Sequence, residues 1–176
     1  SINWQFYDFK NFMKIIINNW LAIIFILSIS AIGSALIAEF MFNLAPCKMC
    51  LNQRYPYYFI IILSILFYLF KISKKILLYI FFEISILYGI YYSLWHVGIE
   101  QKILPGPKSC AGTISKTNNL QNLKEQINSQ PIINCSDISW TIFGLSAATI
   151  NSILLLFILY FNSIYIFKKI YGAKKN

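Results

Sequence analysis

The stretch that separates the first two long apolar runs reads Ala45-Pro46-Cys47-Lys48-Met49-Cys50-Leu51-Asn52-Gln53-Arg54. Cys47 and Cys50 have the Cys-x-x-Cys spacing of thiol–disulfide oxidoreductases, in which an exposed bridge is readily exchanged. On a helix, Arg54 would share one face with Cys50 at about 5–6 Å, and the helix N-terminus would add positive potential of its own. Both features favour a thiolate at Cys50, so the stretch predicts a thiol–disulfide redox site at the start of a helix.

The composition indicates an integral membrane protein. Of the 176 residues, 58% are hydrophobic and 12% are charged, whereas soluble domains average about 45–50% apolar and about 25% charged residues. The formal net charge of +9 does not indicate nucleic-acid binding, because the lysines lie at the ends of apolar runs and not on one face of a soluble element.

Four apolar runs are long enough to cross a hydrocarbon core of about 30 Å as helices. They cover about residues 20–42, 51–70, 76–97 and 140–167. We therefore predict an all-α fold: a single membrane domain over residues 1–176, forming a four-helix bundle with outward redox loops at 43–50 and 98–139. In the second loop, the i, i+3, i+7 spacing of Leu120, Leu123 and Ile127 predicts a short amphipathic surface helix, with a partly disordered loop as the alternative.

The distribution of basic residues predicts the orientation of these spans. Nine lysines flank the spans on the side of the termini and six basic residues lie on the other side, four of them spread over the long loop. Both termini should therefore be cytoplasmic and all four cysteines should face outward. An oxidising face favours disulfides over permanent thiols, but the residues alone leave all three pairings of the four cysteines open.

An ordered set of motifs resembles the disulfide bond formation protein B (DsbB) family, the quinone reductases that reoxidise the periplasmic thiol oxidase. The motifs are Cys-x-x-Cys-x-x-Gln-Arg-x-Pro at 47–56, His-x-Gly-x-Glu at 96–100, Pro-Gly-Pro-x-x-Cys at 105–110, and Cys135 before the last span. The resemblance covers essentially the whole chain. It implies a bacterial inner-membrane protein that supplies disulfides for protein folding.

The resemblance also implies a mechanism and its residues. A partner of thioredoxin fold (DsbA-like) would attack a Cys110–Cys135 bridge through Cys110, and Cys135 would then exchange with Cys47. Cys50 would be freed as a thiolate beside a quinone, ubiquinone or menaquinone, with Arg54 assisting the transfer of electrons. His96 would lie near the quinone, and no metal is expected.

Two features depart from the pattern of some family members, which carry an acidic residue before the arginine and a glutamine four positions after the histidine. This chain has Gln53 and Glu100 at these positions. Glu100 is a candidate acceptor in the quinone pocket, although we favour a carboxylate that is simply solvated at the interface. Glu83 falls deep in the third span, where we expect a protonated side chain that is hydrogen-bonded to a neighbouring helix.

Two other classes of function explain parts of the sequence. A four-helix membrane scaffold with structural disulfides would explain the spans but not an arginine one turn after a cysteine pair. A thiolate metal-handling protein would need convergent ligands, usually in two tight pairs, and Cys110 and Cys135 do not form a second Cys-x-x-Cys. Whether the partner would be a general or a dedicated thiol oxidase stays open.

Overall fold

A computed structural model of the chain describes residues 13–70, 75–107, 135–136, 138 and 140–173. The described part is mostly helical, as predicted. Its long helices are α1 (Trp20–Met41), α2 (Lys48–Leu69), α3 (Lys75–Glu100) and α4 (Ala147–Ala173), and residues 13–18 are also helical. A small antiparallel pair of strands, β1 (Thr141–Ile142) and β2 (Leu145–Ser146), precedes α4. The predicted surface helix with Leu120, Leu123 and Ile127 lies outside the described residues.

Three of the helices are long and apolar enough to cross a membrane, namely α1, α3 over Ile76–Glu100, and α4 over Ala147–Gly172. Their outward faces carry large apolar side chains, and Ile26, Ile84 and Ile153 are each more than half exposed. Soluble monomers rarely expose apolar surface on this scale. The chain is therefore a membrane protein.

Helix α2 begins at Lys48, three residues before the predicted second span, and it is not among the three most apolar helices. Its first two turns carry Asn52, Gln53 and Arg54, which lower its mean hydropathy. Pro56 lies inside α2 and packs against Gly89 of α3, where an added Cβ would come within 2.8 Å of the proline Cγ. The absence of a side chain at Gly89 thus permits close contact between these helices.

The predicted start of the fourth span at residue 140 is wrong, because α4 begins only at Ala147. The preceding residues form the β1–β2 hairpin, whose turn residues Phe143 and Gly144 have φ values of 52° and 78°. Positive φ at both central residues is typical of the tight turns that join antiparallel strands. The Ser146 Oγ then accepts a hydrogen bond from the Thr149 backbone N–H at 3.2 Å and caps the helix.

The helices pack with α3 between α2 and α4, while α1 lies against α2 and touches α4 only slightly. The main core lies among all four helices, and Ile24, Ile60, Phe82 and Leu155 are buried in it. A smaller cluster lies at the end of the molecule where α2 begins and α3 ends. It contains the buried residues Cys47, Met49, Ile99 and Cys135.

A separate group of polar side chains lies between α3 and α4, in the first half of α3. Glu83 accepts hydrogen bonds from Asn162 Nδ2 and Ser163 Oγ, both at 2.5 Å, and Trp20 Nε1 donates to Asn162 Oδ1 at 3.2 Å. We call these four residues the glutamate cluster. The prediction that Glu83 is hydrogen-bonded to a neighbouring helix is confirmed.

Candidate redox site

The Cys47–Cys50 pair lies at the N-terminus of α2. Cys47 is the N-cap residue, with φ −72° and ψ 167°, and its Sγ accepts the Cys50 backbone N–H at 3.2 Å. The two residues are free thiols, and their Sγ atoms lie 2.8 Å apart and share a hydrogen bond. The helix N-terminus therefore directs donors at Cys47, the first cysteine of the pair.

His96 of α3 provides a further contact to Cys47. Its Nε2 lies 3.6 Å from Cys47 Sγ, and both residues are buried, with 4% and 5% of their surface exposed. The hydrogen bond from the Cys50 thiol, followed by that from His96, lowers the pKa of Cys47 from 9.0 to about 4, even though burial opposes ionisation. These hydrogen bonds thus favour the thiolate at Cys47 in the dithiol form.

The pKa of Cys50 is raised, because its thiol is hydrogen-bonded to Cys47, is buried, and lies beside the Cys47 charge. The prediction of a favoured Cys50 thiolate is therefore wrong for the dithiol. The positive charge of Arg54 does lower the pKa of Cys50, as predicted, but it is the smallest of the causes. Since the main cause of the raised pKa of Cys50 is the Cys47 side chain itself, this effect is lost when Cys47 is disulfide-bonded to another cysteine.

Arg54 shares the cavity wall with Cys50 and also reaches across to α1. Its Nη1 lies 2.6 Å from Glu39 Oε2, and its Nη2 donates to the Ala35 carbonyl at 3.5 Å. A carboxylate and a guanidinium in an apolar setting pair directly because each is costly alone. Sequence reasoning did not assign Glu39, although a lone carboxylate inside the first apolar run was the available signal.

A chain of buried amides connects His96 to α4, and sequence reasoning missed most of its members. Gln53 Nε2 lies 2.9 Å from His96 Nδ1, Asn151 Nδ2 donates to Gln53 Oε1 at 2.9 Å, and Tyr57 O–H donates to Asn151 Oδ1 at 2.5 Å. We call Gln53, Asn151 and Tyr57 the amide chain. No local spacing in the sequence relates Asn151 to Gln53, 98 positions earlier.

Glu100 lies beside His96 in the last turn of α3. Its side chain is only 5% exposed, its Oε1 is 3.9 Å from His96 Nε2, and its Oε2 accepts a hydrogen bond from Ser146 Oγ. The expectation of a carboxylate that is simply solvated is therefore wrong. The β2 strand and the start of α4 cover this residue, an arrangement that the predicted continuous fourth helix did not include.

Cys135 is the only one of the two loop cysteines within the described residues, because Cys110 lies outside them. Cys135 is 1% exposed, is disulfide-bonded, and belongs to the same buried cluster as Cys47 and Met49. The His96 ring also forms a hydrogen bond with the Cys135 backbone. The structure therefore brings a cysteine of the second loop to the Cys47–Cys50 pair.

A cavity of about 170 Å³ lies between α1, α2 and α4 beside the thiol pair. Small side chains of α1, including Ala31 and Ala35, provide part of its space. Its polar wall consists of Cys50, Arg54 and the amide chain, in a lining that is otherwise mostly apolar. An apolar ring with polar edges suits such a lining. His96 and Glu100 do not line the cavity, although Gln53 joins His96 to it.

Cys47, Cys50 and His96 place three possible donor atoms within 4.8 Å of one another, which is relevant to the metal-handling alternative. Gln53 Nε2 lies 2.9 Å from His96 Nδ1, however, which favours a hydrogen on Nε2, and Nε2 would then present an N–H, not a lone pair, to Cys47. In this arrangement the two thiols and the imidazole are joined to one another by hydrogen bonds.

Comparison with known proteins supports a thiol–disulfide redox site, as the geometry does. Residues 17–165 match the family described as "Disulfide bond formation protein DsbB". The chain is also 31% identical over 143 residues to the uncharacterized protein RP370 of Rickettsia prowazekii (strain Madrid E), covering 80% of this chain and 83% of that protein. No solved structure matches the chain significantly. With most of its length matched, the chain belongs to the DsbB family of disulfide bond formation proteins.

Proposed function

We propose that this protein reoxidises a periplasmic thiol oxidase of thioredoxin fold (DsbA-like) and passes the electrons through two cysteine pairs to a membrane quinone. The overall reaction converts a donor dithiol and a quinone into a donor disulfide and a quinol. The observation that carries the proposal is the burial of Cys135 and Cys47 in one cluster, in a member of the DsbB family, beside a cavity that Cys50 lines.

The electrons would enter at the second loop. A thiolate of the partner attacks Cys110 in a Cys110–Cys135 bridge, forming a mixed disulfide and releasing Cys135 as a thiolate. Cys135 then attacks Cys47 in the Cys47–Cys50 bridge, and Cys50 leaves with the electron pair. The packing of Cys135 and Cys47 in one buried cluster supports this second exchange.

The quinone, ubiquinone or menaquinone, supplies an acceptor for two electrons and two protons. Cys50, Arg54 and the amide chain would hold its ring at the polar wall of the cavity, and the small residues of α1 would admit it. Arg54 would stabilise negative charge that develops beside Cys50. Its pairing with Glu39 fixes the guanidinium at the cavity rim. Direct contact of His96 or Glu100 with the quinone stays a prediction, and Gln53 offers an indirect link between His96 and the cavity.

The membrane arrangement that we propose has four spans in the bacterial inner membrane, with α2 as the second. Its position between α1 and α3 supports this, because both neighbours are long and apolar enough to cross. The excess of lysines beside the termini supports cytoplasmic termini and periplasmic cysteines.

Quinol formation by the purified protein in detergent, with a reduced thioredoxin-fold donor, tests the proposal. We expect rapid formation in the parent protein, none with Cys50→Ser, and a decrease with Arg54→Met. Ser64→Ala is the matched control on α2, because Ser64 only donates to the Ile60 carbonyl. The absence of quinol from the folded parent protein, with donor and quinone in excess, would reject the enzyme. Stoichiometric bound metal would then favour metal handling, and bridges resistant to the donor would favour a scaffold.

A further inference from the structure

The hydrogen bonds of the amide chain all run in one direction, from the cavity towards Cys47. Tyr57 donates to Asn151, Asn151 donates to Gln53, and Gln53 donates to His96 Nδ1. The His96 Nε2 then faces Cys47 Sγ at 3.6 Å. Four of these five side chains come from α2 and its N-cap or from α3, and Asn151 comes from α4.

A neutral imidazole has one N–H and one lone pair, and the partner of one nitrogen decides which it carries. The amide N–H of Gln53 lies 2.9 Å from Nδ1, so a second hydrogen on Nδ1 would point at another donor. The hydrogen therefore belongs on Nε2. Asn151 supports this orientation by donating to Gln53 Oε1, because the Gln53 amide can turn its oxygen towards the ring only if the Asn151 amide turns with it.

We propose that Gln53 and Asn151 are positioning residues that hold His96 with its Nε2–H directed at Cys47, so that this sulfur is stabilised whenever it becomes a thiolate. The catalytic consequence rests on the proposed function, but the state of the ring does not. To complete the proposed relay, the second thiolate of the partner displaces Cys110 from the mixed disulfide, Cys110 attacks Cys135 of the Cys47–Cys135 bridge, and Cys47 leaves with the electron pair. An N–H directed at the departing sulfur stabilises that charge.

The effects of the other groups around Cys47 and His96 can be distinguished from the effect of the amide chain. The Cys47 and Cys50 sulfur atoms are hydrogen-bonded to each other, and Arg54 is paired with Glu39 of α1. Glu100, bonded to Ser146 of β2, lies 3.9 Å from Nε2 and also favours a hydrogen there. The Cys135 backbone is a further hydrogen-bond partner of the ring. Gln53 contacts the opposite nitrogen, Nδ1, so its removal changes the ring without removing Cys50, Arg54 or Glu100.

The state of the ring can be measured directly because the chain contains a single histidine. In ¹⁵N-histidine-labelled, reduced full-length protein in detergent, we expect the ¹⁵N shifts of a protonated Nε2 and an unprotonated Nδ1. Asn151→Asp keeps the size of the side chain but removes its donor, so Gln53 should turn and Nδ1 should become the protonated nitrogen. Ser152→Ala is the matched control on α4, because it removes buried hydrogen bonds to Ser93 and Ala148 and leaves the amide chain intact.

A second measurement uses Gln53→Met and the rate at which a small reagent alkylates Cys47 as a function of pH, resolved by mass spectrometry. We expect the midpoint of the profile to rise by about one pH unit, a tenfold loss of thiolate below it. A parent ring protonated at Nδ1, or an unchanged profile in folded Gln53→Met protein, would overturn the proposal. Neither readout requires quinone, so failure of the parent protein to form quinol would reject the proposed function separately.

Discussion

The glutamate cluster lies between α3 and α4, and a second polar cluster lies around Cys47 where α2 begins and α3 ends, but only the second has the features of a reactive site. The glutamate cluster is closed: Glu83 accepts from Asn162 and Ser163, Trp20 completes the set, and none of the four lines the cavity. The cluster around Cys47 instead contains a thiol pair, packs against Cys135, and reaches the cavity through the amide chain. Buried polar residues in a membrane protein often have a function. Here the two clusters differ because only the one around Cys47 brings nucleophilic thiols together beside a cavity.

The largest expected difference between the clusters is in turnover. Cys47→Ser removes the sulfur that must exchange with Cys135, so we expect quinol formation to fall ~1,000-fold or more. Glu83→Gln keeps the size of the side chain, and its amide can accept from Asn162 and donate to the Ser163 hydroxyl, so turnover should stay close to that of the parent. Steady-state rates per folded protein measure both. Loss of turnover in folded Glu83→Gln protein would contradict this difference between the two clusters.

The glutamate cluster should instead contribute to stability. Asn162→Leu removes a buried amide that bonds to Trp20, Tyr79 and Glu83 and leaves their partner groups unsatisfied. We expect a loss of about 1–3 kcal/mol in the free energy of unfolding, measured by denaturation in detergent, with little change in the ¹⁵N signals of His96. An unchanged stability would show that this network does not hold α1, α3 and α4 together.

The pH dependence of thiol reactivity sharpens the comparison further. Because the folded pKa of Cys47 is lowered to about 4, its alkylation in the reduced protein should be nearly independent of pH from 8 to 6 and should slow as pH falls towards 4. The contribution of Cys47 to the free energy of unfolding changes with pH in the same direction as its alkylation. Its lowered pKa stabilises the folded dithiol at high pH, and this stabilisation decreases as the pH falls through the pKa of the folded state. Cys50, whose pKa is raised, should stay unreactive at neutral pH. Equal reactivity of both thiols at pH 6 would contradict the assignment.

The smallest effect concerns the pairing of Arg54. Glu39→Gln removes the carboxylate 2.6 Å from the guanidinium, so more of its charge should act on Cys50. The pair is partly exposed and therefore screened, and we expect only a two- to fivefold rise in Cys50 reactivity at high pH, an estimate of about 0.5–1 kcal/mol. Alkylation of Cys50 measures it, with Ser28→Ala on α1 as the control. A fall in reactivity would show that Glu39 positions Arg54 more than it neutralises it.

Local patterns in the sequence predicted the helices and the thiol pair, since spans and the Cys-x-x-Cys spacing depend on residues close in the chain. They did not predict that His96 would contact Cys47 or that Asn151 would bond to Gln53, because such contacts depend on which helix faces meet. Helical spacing related Arg54 to Cys50, but it did not predict that Arg54 would pair with Glu39 on a neighbouring helix. The late start of α4 was missed because an apolar run also permits the tight turn at Gly144.

The most direct measurement of the central claim is the stoichiometry of one anaerobic reaction in which donor disulfides and quinol are counted together. With the parent protein and excess quinone, we expect one quinol for each donor disulfide, continuing over many turnovers. Without quinone, donor oxidation should stop once the protein's own cysteine pairs are reduced. Continued donor oxidation without quinol would contradict the transfer of electrons from Cys50 to a quinone in the cavity.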